Sequence, residues 1–318
     1  LNSLFIYCNW RSLIRHHRMS SLEMFKTPRA VRTSLSRRSI SCLRHIVMPE
    51  GQDVFKDQVV VITGAGSGIG RALAIELALK GARLALSDIS ESGLAQTLAQ
   101  LPVGVSAGSY VLDVSNREAM LRHADDVVRD FGQIDFVINN AGTSVLATVE
   151  HATLEEFEKV IGINLWGVIY GTKAFLPMML ARRQGCIVNV SSVFGLVATP
   201  CSAAYTISKF GVRGLTETLW QELEGTGVRA VLVHPGGINT GISKVPKAAH
   251  ETEFERRLLA ANKRQMTTTP EQCAREIVAG LVRGNKRLLV GNGARSLQWI
   301  ARLFPDSYGT LVRRKLGV

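Results

Sequence analysis

Tyr205 and Lys209 stand four residues apart in AYTISKFGVRGLTETLWQEL, a stretch whose apolar spacing predicts a helix. Residues at i and i+4 share a helix face, so the phenol and the ammonium point the same way. An isolated phenol titrates near ~10 and is a poor acid or base at neutral pH. A fixed positive charge beside it favours phenolate and moves its pKa toward the working range. Upstream, Ile187-Val188-Asn189-Val190 reads as a buried strand that stops at the paired serines Ser191 and Ser192. A hydroxyl at that strand's mouth could hold a carbonyl oxygen while the tyrosine gives or takes its proton. An ordinary surface helix also carries tyrosine and lysine at this spacing, so the pair acquires chemical meaning only from its surroundings.

Those surroundings begin at Val59-Val60-Val61-Ile62, a short β-branched run of the kind found in central parallel strands. It leads into Thr63-Gly64-Ala65-Gly66-Ser67-Gly68-Ile69-Gly70 and then the helical RALAIELALKG. Glycines between a strand and a helix let backbone approach a pyrophosphate, which then sits on the positive end of the helix. A second strand, Arg83 to Ser87, ends at Asp88. A carboxylate there can accept hydrogen bonds from adenosine ribose hydroxyls and would repel a 2′-phosphate, and no arginine directly follows it. The cofactor expected on this ground is NAD rather than NADP; the competing role for Asp88 is to cap the following turn.

The alternation continues. Strands are expected at 109–112, 134–138, 187–190, 229–233 and 287–290, with helices at about Arg117–Phe131 and Leu154–Ala181. Asn164 lies in the apolar part of the second helix, where a polar side chain is costly unless bonded, so it is a satisfied core group or part of a polar site. Strands alternating with helices at this spacing predict the α/β class: a single Rossmann-type, doubly wound domain over residues 48–292 with a seven-stranded parallel sheet. Its ligand crevice should lie beyond the carboxyl ends of the strands.

The chain has 318 residues and a net charge of +12, which suggests an anionic partner until the charge is located. Residues 1–47 hold eight Arg and one Lys against the single acid Glu23, a net +8, so the remainder carries only +4. Nucleic acid is therefore not expected as a partner. The leader is rich in Arg and Ser and lacks a continuous apolar core, which reads either as an organelle transit segment or as sequence upstream of a start at Met48. Five scattered cysteines without metal-ligand spacing imply reduced thiols, no metal site and a cytoplasmic setting, or an organelle if the leader is genuine. GINLWGVIYGTKAFLPMMLA is interrupted by Asn164 and Lys173 and reads as a buried helix, not a membrane span.

Taken together, TGAGSGIG, Asp88, Asp113, NNAG, Asn164, Ser192, Tyr205, Lys209 and the HPGG turn resemble the short-chain dehydrogenase/reductase family in order and spacing, over roughly Asp53 to Val290. The resemblance implies that Tyr205 is the general acid/base and that Lys209 lowers its pKa and holds the nicotinamide ribose. It implies that Ser192 orients the substrate oxygen and that Asn164 holds a water relaying protons to solvent. Gly64, Ser67, Gly68, Ile69 and Gly70 would form the pyrophosphate loop, Asp113 and Val114 would meet adenine, and Asn140, Ala141 and Gly142 the ribose region. Pro235, Gly236, Ile238 and Thr240 would approach the nicotinamide and its carboxamide. His234, where the family often has asparagine, and the extra Gly237 depart from its pattern near the substrate. The implied activity is NAD-dependent interconversion of a secondary alcohol and a ketone or aldehyde, in a homodimer or homotetramer built on the helices around Asn164 and Tyr205. A catalytically silent dinucleotide-binding scaffold on the same fold is the alternative, which an intact Ser192, Tyr205, Lys209 and Asn164 disfavours.

Two segments bear on the substrate. Residues 241–269 are polar and charged, placed either to close over substrate or to form a solvated surface helix. Val193, Phe194, Leu196, Val197 and Cys201 suggest an apolar pocket wall, hence a hydrophobic small molecule. The tail, 293–318, sets Trp299, Ile300, Leu303 and Phe304 beside basic residues; packing on the core or a second subunit is expected over contact with a membrane surface.

Overall fold

The computed structural model describes residues 54–241 and 252–316; the basic leader 1–47, residues 48–53 and the part of the substrate-side segment at 242–251 lie outside the described residues. β1 (Val59–Thr63) is buried along its whole length because both its faces are covered. It pairs in parallel with β2 (Arg83–Asp88) on one side and β4 (Phe136–Asn139) on the other. With β3 (Ala107–Val111), β5 (Gly185–Val190), β6 (Val228–Pro235) and β7 (Arg287–Val290), the seven strands form one parallel sheet in the order β3-β2-β1-β4-β5-β6-β7. The order reverses between β1 and β4, and the crevice of a doubly wound sheet opens there.

The period-2 alternation of a strand divides the core in two. Val60 and Ile62 of β1 join one cluster with Leu73 of α1 (Gly68–Ala78), Leu94 of α2 (Glu91–Leu98) and Ile277 of α8 (Pro270–Val282). Val59 and Val61 join the other with Met120 of α3 (Arg117–Phe131), Phe175 of α5 (Gly167–Arg182) and Leu219 of α6 (Ala203–Glu222). Each such fully buried aliphatic side chain stabilises the fold by roughly 1.5–3 kcal/mol before entropy is charged. The helix expected at 117–131 is found with those ends, because Asn116 accepts from the Ala119 N–H at 2.9 Å and Gly132 closes it with φ 78°.

Two expectations shift. Ile134 and Asp135 precede β4 rather than opening it; Asp135 is buried, and its carboxylate accepts from the Val59 N–H at 2.9 Å and from Arg182 at 3.1 Å. The single long helix at 154–181 is instead α4 (Leu154–Ile161), a π-helical turn over Gly162–Trp166, and α5. The widened turn contains Asn164, whose side chain binds the backbone of Thr143 outside the helix. At Gly167 a Cβ would come within 2.8 Å of Val114 Cγ2, so the helix is drawn tightly against the loop after β3. Such turns absorb one extra residue where tertiary contacts demand it. No described helix is long and apolar enough to cross a membrane, as expected for the stretch around Lys173.

The described part of the substrate-side segment is helical: α7 (Glu253–Gln265) begins at a Thr252–Glu255 capping box. Glu255 is buried and does more than cap. Its carboxylate accepts from the Thr252 N–H at 2.8 Å and Oγ1 at 3.0 Å, and reaches across the fold to the Thr148 N–H at 2.7 Å and His151 Nδ1 at 3.3 Å. Burial by itself would raise its pKa, but these donors outweigh that and hold it down at about 2. The tail forms α9 (Ala294–Leu303) and α10 (Tyr308–Leu316). Val312 is buried, and Tyr308 Oη accepts from the Ala198 N–H at 3.1 Å, so the tail packs on the core; Trp299 and Leu303 remain 61% and 63% exposed.

Because the folded pKa of Glu255 lies below its usual 4.5, its stabilisation is present above that value and is lost as pH falls toward 2. Glu255→Ala leaves buried donors unpaired and should cost about 2 kcal/mol, lowering Tm by about 4–8 °C at neutral pH. The deficit should shrink as pH falls below about 4.5; thermal melts at pH 7 and pH 3 check both.

Candidate active site

A cleft of about 720 Å³ opens at the carboxyl ends of the strands. Of the residues named from the sequence, Gly64, Ser67, Gly68, Ile69, Asp88, Asp113, Val114, Asn140, Ala141 and Gly142 line one stretch of it, and Ser192, Tyr205, Lys209, Pro235, Gly236, Ile238 and Thr240 the other. Only Gly70 and Asn164 of the expected set lie behind its surface.

Gly64 has φ +68°, and a Cβ on it would stand 2.8 Å from Ala141 Cα. At Gly70 a Cβ would meet the Gly64 carbonyl at 2.0 Å, so this glycine serves the close approach of α1 to the loop and does not face a ligand. Asp88 closes the loop: one carboxylate oxygen accepts from the Gly66 N–H at 2.8 Å, the other from the Ser90 N–H at 2.8 Å. The turn-capping and ligand-facing roles are thus compatible, since Asp88 performs the first while lining the cleft. Asn140 lines the cleft and also serves the loop. Its amide donates to the carbonyls of Thr63 at 2.9 Å and Gly64 at 3.3 Å, which braces the glycine loop. These residues fit a dinucleotide: a backbone cradle without side chains, an adjoining helix N-terminus and a carboxylate at the ribose end of the cleft.

At the other end, Tyr205 and Ser192 line the cleft together, the serine hydroxyl drawing the phenol's pKa down, and Phe194 meets the tyrosine ring edge-on at 5.9 Å between centroids. Lys209 is buried on the same helix with Nζ 5.6 Å from the tyrosine ring centroid, donating to the Val190 carbonyl at 2.9 Å. Asn164 sits one layer back. Its Oδ1 accepts from the Thr143 N–H at 2.8 Å, while Nδ2 donates to the Thr143 carbonyl at 2.8 Å and to Ser208 Oγ at 3.1 Å. It is therefore a satisfied core polar group that is also part of the polar site, because Gly142 lies between it and Lys209.

One expectation reverses direction. Burial raises the pKa of Tyr205, and the Ser192 hydroxyl only partly offsets this. Burial likewise lowers Lys209 from 10.5 to about 8. In the protein alone Tyr205 is a neutral phenol, because desolvation of both groups outweighs the attraction that spacing suggests.

Several supporting residues escaped the sequence reading. Thr63 Oγ1 accepts from the backbone of Asn140 and Ala141 at 3.0 and 3.1 Å, Ser191 Oγ donates to the Lys209 carbonyl at 2.8 Å, and Ser208 Oγ to the Tyr205 carbonyl at 2.7 Å. Beneath them, Asn139 Nδ2 donates to Asn189 Oδ1 at 2.9 Å, whose Nδ2 donates to Thr216 Oγ1 at 3.0 Å. For Thr63, Asn139 and Asn189 the only sequence signal was a polar residue in an otherwise apolar strand. The apolar wall is formed by Val193, Phe194 and Val197 as expected, but Leu196 and Cys201 are buried away from the cleft. Leu297 and Ile300 of α9 and Leu311 and Val312 of α10 line it instead.

The comparisons agree with this geometry. The family model for short chain dehydrogenases matches residues 58–251, more than half of the chain. SadH of Mycobacterium tuberculosis (strain ATCC 25618 / H37Rv) is 44% identical over 262 residues, covering 81% of this chain and 95% of its own length. Estradiol 17-beta-dehydrogenase 11 of Homo sapiens is 30% identical over 284 residues, 88% of this chain and 90% of its own. Among solved structures, a short-chain dehydrogenase/reductase from Burkholderia phymatum in complex with NAD matches with a TM-score of 0.73 at 30% identity, over 81% of this chain and 96% of that one. A glycine cradle, a Ser–Tyr–Lys cluster in the same cleft and these relatives converge: the chain belongs to the short-chain dehydrogenase/reductase family of NAD(P)-binding oxidoreductases.

Proposed function

We propose that the protein interconverts a predominantly apolar secondary alcohol and the corresponding ketone, with NAD as cofactor. The observation that carries this reading is that Tyr205, Ser192 and buried Lys209 line one cleft with the glycine loop and Asp88. A bound nicotinamide supplies the hydride chemistry; the chain's own residues orient the substrate and move one proton. Ser192 Oγ holds the reacting oxygen, and Tyr205 Oη delivers its proton in reduction or receives one in oxidation. Lys209 Nζ, fixed by the Val190 carbonyl, keeps positive charge beside the phenol in the low-dielectric interior.

Asp88 supports NAD over NADP, because a 2′-phosphate would face a carboxylate. Arg71, the cation of this loop, is engaged by the Gly66 carbonyl, Thr97 Oγ1 and Gln96 Oε1. The apolar wall supports a hydrophobic substrate, and a relative bearing the name of an estradiol dehydrogenase accords with it. Half-exposed Trp166, Ile207 and Phe210 on the π-helical turn and α6 support self-association through that face.

Fluorescence titration should give an NADH Kd at least about tenfold below that for NADPH, equivalent to about 1.4 kcal/mol. Tyr205→Phe should lower turnover of the best ketone by about a hundred- to ten-thousand-fold while retaining NADH. Tight NADH binding without turnover across aliphatic, aromatic and steroid ketones would favour the silent scaffold instead. The pH profile carries a sign. Lys209 is charged below about 8 and neutral above, so reductive kcat/KM should fall as pH rises through about 8 and the phenol loses the neighbouring charge that makes it an acid. A reductive rate flat from about pH 6 to 10 would contradict this use of the pair. Light scattering should find an oligomer for the wild type and a monomer for Phe210→Glu; a monomeric wild type would end the assembly reading.

A further inference from the structure

His234 occupies the end of β6 immediately before the Pro235-Gly236 turn, at the position where the sequence departs from the family's frequent asparagine. Its ring is fully buried, and Nδ1 lies 2.7 Å from the backbone carbonyl oxygen of Ser192. A carbonyl oxygen only accepts, so Nδ1 carries the hydrogen and Nε2 is the bare nitrogen. Nε2 is buried without a hydrogen-bond partner. Burial pushes the imidazole down to about 4, so the ring is neutral at physiological pH and places no charge beside the site.

The bond falls where the sheet can no longer make it. β5 and β6 pair as far as Val190 and Val233, and the Ser191 N–H still donates to the Val233 carbonyl at 2.8 Å. Ser192 is one residue beyond that last rung, and the His234 side chain makes the next link between the strands. The Ser192 carbonyl also accepts from the Gly195 N–H at 2.9 Å, closing the 3₁₀ turn Val193–Gly195. Within the same turn Ser192 Oγ accepts from the Phe194 N–H at 3.2 Å. The Ser192 hydroxyl, in the same cleft as Tyr205, is thus held by a turn, and the turn is tied to β6 through His234.

We infer that His234 is a positioning residue for the Ser192 hydroxyl, acting as a neutral hydrogen-bond donor that locks the catalytic turn onto the end of β6. This rests on the proposed role of Ser192 in orienting the substrate oxygen. The chemistry also accounts for the departure in sequence: the asparagine Nδ2 lies as many bonds from Cα as the histidine Nδ1, so either amide or imidazole can supply this N–H. Leucine offers apolar volume without a donor.

The test compares full-length wild type, His234→Asn and His234→Leu for NADH affinity and for steady-state reduction of the best ketone from an aliphatic, aromatic and steroid panel. His234→Leu should lower kcat by about 10- to 100-fold, as a misplaced reacting group does, with KM and NADH Kd within about threefold of wild type. His234→Asn should restore kcat to within about threefold of wild type. A Leu variant with wild-type kcat overturns the inference, as does a folded Asn variant as impaired as the Leu one. If the Leu variant fails to fold, the Asn variant decides: near-wild-type kcat supports the donor role and a collapsed kcat in folded protein refutes it. A wild type that binds NADH but reduces none of the ketones would refute the oxidoreductase reading itself, a result separate from either of these.

Discussion

A parallel sheet covered on both faces leaves its polar groups few places to go, and this constraint arranges the whole molecule. β1 is buried at every position, and each face of the sheet is sealed by helices. Side chains that need water or partners must collect at the strand ends or bond to one another inside. Asp88, Asn140, Ser192 and His234 all stand at or just past a strand's carboxyl end, where the chain turns toward a helix. The cleft is the consequence, since neighbouring crossovers diverge where the strand order reverses.

Within that cleft, polarity is handled differently at the two ends. Around the glycine loop, backbone does the work: missing side chains let it fold within contact distance of Ala141 and Asp88, and Asn140 holds the result in place. Around Tyr205, side chains do it, held in place by partners from another layer. Lys209 is steadied by Val190, Asn164 by Thr143 and Ser208, and Ser192 by a turn tied to β6. Such closely bonded layers fix reacting groups in position, at the expense of making each of them harder to ionise.

The substrate side is assembled from segments far apart in the chain. Glu255 joins α7 to the loop at Thr148, 107 residues away, and α9 and α10 complete the apolar wall begun by Val193, Phe194 and Val197. The tail, expected to pack on the core or a second subunit, lends its inner face to the cleft while Trp299 and Leu303 face outward. Substrate selection therefore depends on elements with no part in proton transfer.

Local pattern was enough for the alternation of strands and helices, the glycine loop after β1, the carboxylate ending β2 and the Tyr205–Lys209 face of α6. Each is written in neighbouring residues through side-chain periodicity and glycine's freedom of φ. The tertiary structure decided what burial and distant partners control: the raised pKa of Tyr205, the turning of Asn140 onto Thr63 and Gly64, and the π-helical turn that lets Asn164 reach Thr143. It also decided the displacement of Leu196 and Cys201 from the pocket and the bond from His234 to Ser192, 42 residues away. Periodicity specifies which face of an element is buried; it carries no information on which polar atom from another part of the chain will meet it there, and desolvation energies depend on that meeting.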